Sequence, residues 1–402
     1  MTTMSSVAGD VRLTDFLQTE LTQLRNEGLY RACRLIEGEQ LPRVRLAGQL
    51  TIMLSSNNYL GLATHPKLKD AAKQAIDVYG CGAAASRLIA GNMELHEKLE
   101  ERIARFKGAE AALVFNSGYT ANVGVLSTLV GPGDVVFSDE LNHASIIDGS
   151  RLSKAEIKIY PHKDMNSLEA MLSTSPTGGR KLIVTDGVFS MDGDIAPLPD
   201  IVTLARRFGA AIMVDDAHAT GVLGKDGRGI ASFFGLEDAI DIQMGTLSKA
   251  LGCFGAYVVG SKQLKEFLVN KCRAFIYTTA LPPSVIASAL AAFDLLENES
   301  WRRETLHAHA DFLREGLRNL GYDCSGSETQ IIPVLIGDSA RTVSLSQRLL
   351  AKGVFACGVR PPTVPEGKSR LRATVMATHS QEDLQQTLDA FAAAGRELKL
   401  IG

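Results

Sequence analysis

The sequence lacks any long uninterrupted run of apolar residues. No segment approaches the roughly 18 apolar residues that suggest a membrane span. The first residues, "MTTMSSVAGDVRLTDFLQTEL", lack a basic stretch followed by an apolar one, and they include acidic residues. These features argue against a secretory signal and against a transit peptide. We therefore expect no association with a membrane.

The sequence also lacks an excess of charge of either sign, because 42 basic and 45 acidic side chains leave a formal net charge of −3. Such a balance gives no reason to expect nucleic acid or an anionic surface as a partner. The six cysteines are scattered without CxxC or Cys/His ligand spacing. This spacing predicts reduced thiols rather than a disulfide framework or a zinc site. We expect the cytoplasm as compartment and no metal site.

The predicted strand-to-helix turn at residues 116–122 lacks a glycine-rich phosphate-binding motif. The stretch "NSGYTAN" (116–122) contains a glycine at a predicted helix start, which suits an anion, but it is neither GxGxxG nor GxxxxGK[ST]. A nicotinamide-dependent dehydrogenase would need such a fingerprint after its first strand. Taken alone, the stretch is better explained as an ordinary turn with a glycine.

The pattern that is present consists of short apolar runs alternating with helical patterns. "AALVF", "KLIVTD", "AAIMVDD" and "DIQMG" read as strands between amphipathic segments. Strands alternating with helices predict a mostly parallel sheet that helices cover on both faces. With 402 residues, we expect an N-terminal helical segment (1–55), a large domain (56–290) and a smaller C-terminal α+β domain (291–402).

Polar side chains follow several of these strands, at the edge where ligands bind in open α/β sheets. Asp215 could pair with a protonated ring nitrogen while His218 donates to a ring oxygen, but a helix N-cap and a surface histidine are equally plausible. Lys249 in "GTLSKALG" is a candidate Schiff-base nucleophile, although most lysines are solvated. His143 in "DELNHASIIDG" stands at a strand-to-helix junction, where a core histidine is the ordinary interpretation.

A final motif, "RPPTVPEGKSRLRAT", combines rigid prolines with Arg360, Arg370 and Arg372. Arginine at a fixed backbone position suits bidentate capture of a carboxylate. A solvated basic loop is the alternative, and the motif alone favours that interpretation.

Taken together, these segments resemble the α-oxoamine synthases, a family of fold-type I enzymes that use pyridoxal 5′-phosphate (PLP). The resemblance runs from "LYR" near residue 30 to "RLRAT" and includes "SSNNYLGL", "TDGVFSMDGD", "VDDAHATGVLG" and "GTLSKALG". It implies an α/β fold-type I PLP-dependent transferase, whose large domain has a mostly parallel sheet covered by helices, plus the smaller C-terminal α+β domain.

The resemblance also implies roles for individual residues. Lys249 would hold PLP covalently, Asp215 would pair with the pyridinium nitrogen, and His218 would bond the ring oxygen. His143 would stack on the ring and reach the reacting substrate, which favours a functional role over a core histidine. The full set implied to bind the cofactor is Gly118, Tyr119, His143, Ser190, Asp215, His218, Thr246, Lys249, Thr278 and Thr279.

Further positions are implied on the substrate side and between subunits. Arg372 would bind the amino-acid carboxylate, and Arg31, Asn57 and Thr363 match other substrate-binding positions. Thr278 and Thr279 would reach the phosphate from the partner subunit, so a homodimer with shared active sites is expected.

The implied reaction is a decarboxylative Claisen condensation. "RPPTVPEGKSRLRAT" most resembles the family members that use L-alanine and pimeloyl-CoA, or the carrier-protein form, which implies 8-amino-7-oxononanoate, CoA and CO2 as products in biotin biosynthesis. "DELNHASIIDGSRLSKA" also resembles 2-amino-3-ketobutyrate CoA ligases, which condense glycine with acetyl-CoA, and this activity is the second candidate. The family also includes scaffold subunits that have lost the lysine, but Lys249, Asp215 and His143 are all present here.

Overall fold

The computed structural model describes residues 12–176 and 178–402. The helices in these residues are α1 (Leu13–Asn26), α2 (Pro66–Tyr79), α3 (Glu94–Lys107), α4 (Gly118–Leu129), α5 (Ala144–Ser153), α6 (Met165–Ser173), α7 (Leu198–Phe208), α8 (Ile230–Phe234), α9 (Lys262–Lys271), α10 (Arg273–Ile276), α11 (Pro283–Asn298), α12 (Trp301–Asn319), α13 (Ser339–Ala351) and α14 (Gln381–Glu397). The strands are β1 (Ile36–Glu37), β2 (Arg43–Leu46), β3 (Gln49–Met53), β4 (Ala111–Phe115), β5 (Val135–Asp139), β6 (Glu156–Tyr160), β7 (Lys181–Asp186), β8 (Ala211–Asp215), β9 (Ile242–Thr246), β10 (Ala256–Gly260), β11 (Ile331–Gly337), β12 (Val354–Phe355), β13 (Cys357–Val359) and β14 (Ser369–Thr374).

A seven-stranded sheet in the order β4-β10-β9-β8-β7-β5-β6 forms the centre of the fold. Its strands are parallel except β10, which runs antiparallel to both β4 and β9. In β7, Leu182 and Val184 join the apolar cluster under α4 and α5, whereas Ile183 joins the cluster under α3, α7 and α11. Because both faces are covered, inner strands such as β7 and β8 are nearly continuous apolar runs, whereas the edge strand β6 contains Glu156 and Lys158. The predicted mostly parallel, helix-covered sheet is confirmed.

The smaller C-terminal part contributes a three-stranded antiparallel sheet in the order β11-β14-β13. Its central strand β14 is anchored to the residues after β3, because the backbone N–H of Thr374 donates to the carbonyl of Leu54 at 2.8 Å. The Thr374 hydroxyl also donates to the carbonyl of Ser56, at 2.8 Å. This anchoring brings the arginines of β14 next to the segment "SSNNYLGL".

The prediction of a helical segment over residues 1–55 is only partly right. The helix α1 exists, but residues 36–53 form the strands β1, β2 and β3, joined in one sheet with β12. In β2 the buried Val44 and Leu46 alternate with polar residues, and a turn at Ala47 and Gly48, both with positive φ, reverses the chain into β3. Alternation of this kind favours a half-buried strand over a helix. Residues 1–11 lie outside the described part, and the domain boundaries at 55/56 and 290/291 remain a prediction.

The helix α1 presents its apolar side chains to solvent in the single chain. None of its residues is buried, and Leu13, Phe16 and Leu17 are among the exposed large apolar side chains. In the part of the chain that the structure describes, no helix combines the length and the apolar character needed to cross a bilayer.

Candidate functional site

Lys249 lies in the turn that follows β9, at the carboxyl edge of the central sheet. Its Nζ is 2.9 Å from Nε2 of His218, which follows β8. Burial lowers the pKa of Lys249 to about 8, although the carboxylates of Asp215 and Asp186 oppose this shift. A lysine amine with a pKa this low is uncharged in a substantial fraction of molecules near neutral pH, so it can act as a nucleophile and as a base.

The imidazole of His218 contacts Lys249 with one ring nitrogen and a tyrosine with the other. Its Nδ1 is 2.7 Å from the hydroxyl of Tyr59, a fully buried residue of "SSNNYLGL". Burial, together with the positive charges of Lys249 and Arg372, holds the pKa of His218 well below its ordinary value. The ring is therefore neutral, with one nitrogen able to donate and the other able to accept.

Asp215 is the last residue of β8, and its buried carboxylate accepts hydrogen bonds from uncharged groups. Its Oδ2 accepts a 2.7 Å hydrogen bond from the amide of Asn122, and its Oδ1 accepts one of 2.9 Å from the backbone of Ala217. Across residues 12–176 and 178–402, no ion pair involves this carboxylate. A buried charge is stable only when it is compensated. A protonated ring nitrogen would supply that compensation.

His143 is the N-cap of α5, and this capping role explains why an imidazole stands at the junction between β5 and α5. Its Nδ1 is 2.7 Å from the hydroxyl of Ser145 and accepts from the backbone N–H of Ser145. Its own backbone N–H donates to Asp186 at 2.7 Å. Burial lowers the pKa of His143 despite the nearby Asp215 carboxylate. Protein atoms desolvate the imidazole although the residue keeps an exposed surface, and its stacking on a cofactor ring remains a prediction.

Burial also raises the pKa of Asp186 well above its ordinary value, and repulsion from the Asp215 carboxylate adds to the effect. Two carboxyl groups so close together do not both ionise readily. Asp186 therefore carries a proton at a pH where an ordinary aspartate would not.

The two arginines of β14 have different surroundings. Arg372 donates to Oδ1 of Asn57 at 3.2 Å, to the Tyr59 hydroxyl at 3.4 Å and to the carbonyl of Ser190. Arg370, in contrast, forms an ion pair with Asp192. Within the described chain no carboxylate pairs with Arg372. Its charge is therefore available for a substrate carboxylate.

The remaining cofactor positions lie around the start of α4. The Ser117 hydroxyl caps this helix, whose first residues are Gly118 and Tyr119, so backbone N–H groups and the positive helix end point in one direction. The Tyr119 hydroxyl donates to Asp148 at 2.7 Å. Thr246 ends β9, and its hydroxyl is 2.7 Å from that of Ser248.

Thr278 and Thr279 lie beside Asn116 in the same chain. The Asn116 amide donates to the Thr278 hydroxyl at 3.3 Å and to the carbonyl of Thr279 at 3.0 Å. Thr279 is exposed and Thr278 is half-buried. Their reach toward a partner subunit remains a prediction.

Arg31 and Thr363 contact each other at the rim of the site. The guanidinium of Arg31 donates to the Thr363 hydroxyl at 3.2 Å, although 332 positions separate them in the chain. Both line a cavity of about 630 Å³ together with Arg34 and Arg360. In the described residues no hydrogen bond links this pair to Lys249.

The donor set fits PLP. A buried amine, an uncompensated buried carboxylate, a neutral imidazole and a helix N-terminus suit the aldehyde, ring nitrogen, ring oxygen and phosphate of this cofactor. Tyr59 and Asn122, which hold His218 and Asp215 in place, were missed as site residues, although both stand in the quoted segments "SSNNYLGL" and "NSGYTAN".

Comparison with known proteins agrees with this geometry. The chain matches the family described as aminotransferase class I and II over residues 51–391. It is 54% identical to the 8-amino-7-oxononanoate synthase of Geobacter sulfurreducens over 391 residues, which cover 97% of this chain and 100% of that protein.

Solved structures are similar over most of the chain. A serine palmitoyltransferase from S. paucimobilis with a bound PLP–myriocin aldimine is 35% identical and has a TM-score of 0.92, covering 98% of this chain and 100% of that one. The 8-amino-7-oxononanoate synthase of Francisella tularensis is 29% identical with a TM-score of 0.76, covering 87% of this chain and 98% of that one.

Proposed function

The chain belongs to the aminotransferase class I and II family and, within it, to the α-oxoamine synthases, and on this premise we propose that it condenses L-alanine with a pimeloyl thioester. The products are 8-amino-7-oxononanoate, CO2 and the free thiol, and the reaction serves biotin biosynthesis. One observation carries the assignment of the amino acid. The buried amine of Lys249 and the unpaired guanidinium of Arg372 are joined through His218 and Tyr59, so one small amino acid can contact both.

The enzyme depends on PLP, which supplies an electron sink for removal of the Cα proton and for loss of CO2. Asp215 would hold the positive charge on the ring nitrogen, and the neutral His218 would bond the ring oxygen. Asn122 keeps Asp215 oriented through its 2.7 Å hydrogen bond. Lys249, with its lowered pKa, takes the proton from Cα of L-alanine.

Arg372 and Asn57 fix the direction of the amino-acid carboxylate. A bidentate hydrogen bond from the guanidinium restricts rotation of the bound alanine, so that its Cα–H bond points to Lys249. His143 would lie against the ring and donate to the carbonyl oxygen of the thioester. Arg31 and Thr363, at the rim, bind the acyl donor.

A homodimer completes the site in this proposal. The exposed apolar side chains of α1 and the exposed Ile89 and Tyr277 support a second copy as the covering surface, since large apolar patches mark protein contacts. Thr278 and Thr279 then reach the phosphate bound in the partner subunit. All six cysteines are free, which supports the cytoplasm as the compartment.

A product assay tests the proposal. The purified holoenzyme is incubated with L-alanine or glycine and with pimeloyl-CoA or acetyl-CoA, and the products are identified by mass. We expect 8-amino-7-oxononanoate from L-alanine and pimeloyl-CoA only, with Lys249→Ala as the blank. Faster turnover of glycine with acetyl-CoA would assign the 2-amino-3-ketobutyrate reaction instead.

A further inference from the structure

His162, which follows β6, bridges two loops that carry residues of the site. Its Nδ1 is 2.9 Å from Oδ1 of Asp139, the last residue of β5. Its Nε2 is 2.8 Å from Oδ2 of Asp194, in the turn that follows β7. The ring also packs edge-on against Phe189, with the centroids 4.4 Å apart.

The geometry fixes the protonation of this ring. A carboxylate accepts hydrogen bonds and donates none, so each ring nitrogen must carry a hydrogen, and His162 is an imidazolium. Burial disfavours the charged ring, but the hydrogen bonds that the ring donates to Asp139 and Asp194 outweigh this effect and raise the pKa of His162 to about 9. Lys163 also donates to Asp194, at 3.1 Å, and Glu140 accepts from the His162 backbone. These are the charged groups that face the ring.

Each bridged carboxylate organises one loop. Asp139 accepts from the backbone of Leu141 at 2.9 Å and from that of Lys163 at 3.0 Å, just before the segment that presents His143. The backbone carbonyl of Asp194 accepts from Phe189 at 3.1 Å and closes the turn whose Ser190 carbonyl holds Arg372. The imidazolium therefore connects the loop that leads to His143 with the turn that holds Arg372.

We infer that His162 is a positioning residue: the Asp139–His162–Asp194 bridge sets the distance between His143 and Arg372, and so determines how tightly the amino acid is held. The inference deepens the proposed function and rests on it for the identity of the amino acid. Neither the family resemblance nor the motifs of the sequence analysis single out His162.

The first test uses the wild-type holoenzyme and needs no substrate. In 15N-detected spectra of histidine-labelled protein, His162 is identified as the signal that His162→Gln removes. We expect both of its nitrogens to be protonated at pH 8 and to titrate near pH 9. A neutral His162 ring at pH 8 would overturn the inference.

The second test measures L-alanine binding from the absorbance change of the bound cofactor. The glutamine amide is neutral and carries both of its N–H donors on one nitrogen, so it cannot reproduce the charged bridge from two ring nitrogens. His162→Gln should therefore raise the dissociation constant for L-alanine about tenfold, a change of about 1.4 kcal/mol. Asp194→Asn should act in the same direction. The control is His307→Gln in α12, whose ring bonds only a backbone carbonyl, at 3.0 Å, and which should change the constant less than about twofold.

Failure of the inference and failure of the proposed function are distinguishable. If the wild-type enzyme does not bind L-alanine, the proposed function is wrong, and the bridge is judged by the His143 signals, which His162→Gln should still shift. Unchanged His143 signals, or unchanged alanine affinity in a folded variant, would overturn the inference.

The pH dependence of stability provides a further test of the charge on His162. Because the pKa of His162 is raised on folding, its contribution is complete below about pH 6.5 and is lost as the pH rises through about 9. The difference in melting temperature between wild type and His162→Gln should shrink across that window. A difference that stays constant from pH 6 to pH 10 would contradict a charged bridge.

Discussion

The two sides of the candidate site are built differently. The ring side consists of Lys249, His218, Asp215 and His143, whose contacts of 2.7–2.9 Å are complete within one chain. The rim consists of Arg31, Thr363, Tyr119, Thr278 and Thr279, most of which are exposed and make few contacts in the single chain. The difference teaches that contacts within one chain already order the ring side, whereas in our proposal the acyl donor and a partner subunit complete the rim.

The largest effect is expected on the ring side at Lys249. Lys249→Ala removes both the covalent anchor and the base, so turnover should fall about 10⁴-fold, the upper range for one proton-transferring group. Borohydride reduction followed by peptide mapping checks the anchor. Cofactor attached by reduction to a different lysine in the wild-type enzyme would remove Lys249 from the ring side altogether.

Asp215→Asn should have the next largest effect. A neutral amide cannot hold the pyridinium proton, and loss of a hydrogen bond to a charged group costs about 1.5–3 kcal/mol. The rate constant for exchange of the alanine Cα proton, measured by NMR in D2O, should fall by about 10- to 150-fold. Asn122→Ala is the control, because it removes only the supporting 2.7 Å hydrogen bond to Asp215. Its exchange rate constant should fall less than that of Asp215→Asn. Wild-type exchange in Asp215→Asn would exclude this carboxylate as the ring partner.

How far the sequence predicts the site depends on the distance between partners along the chain. Asp215 and Lys249 each follow an apolar strand directly, so local pattern and family resemblance found them. The contacts of Tyr59 with His218 and of Asn122 with Asp215 span 159 and 93 positions, and no local pattern encodes such pairs. The same limit applies to the fold. The central strands β4, β7, β8 and β9 were predicted, but β1–β3 were missed. β1 and β2 pair locally, whereas the outer partner of β3 is β12, some 300 residues away.

Arg372 lies between the two sides, and its neighbour Arg370 is a matched control. Lysine at position 372 keeps the charge but loses the planar fork, so Arg372→Lys should weaken L-alanine binding about tenfold. Arg370→Lys can keep an ion pair with Asp192, so its alanine affinity should stay near that of wild type. Titration of L-alanine against the cofactor absorbance compares the two variants. Loss of affinity in Arg370→Lys alone would reverse the assignment of the carboxylate site.

The smallest effect is expected at the rim. The Arg31–Thr363 hydrogen bond of 3.2 Å is exposed on both sides, and such contacts contribute about 0.5–1 kcal/mol. Arg31→Ala should therefore raise KM for pimeloyl-CoA about two- to fivefold while kcat and alanine affinity stay unchanged. Higher ionic strength should reduce the difference in KM between wild type and Arg31→Ala, because salt screens the exposed guanidinium from the anionic acyl donor.

A double-mutant cycle with Thr363→Val separates the pair from its individual contacts with the donor. If the two residues act together, the effect of the double variant on KM should be smaller than the product of the single effects. Arg45→Ala removes another exposed arginine, one that bonds only the carbonyl of Gly48, and should leave KM unchanged. If kcat fell as far in Arg31→Ala as in Asp215→Asn, the distinction between the ring side and the rim would be wrong. The rim would then share in the chemistry, and an exposed arginine would have to move onto the reacting atoms when the acyl donor binds.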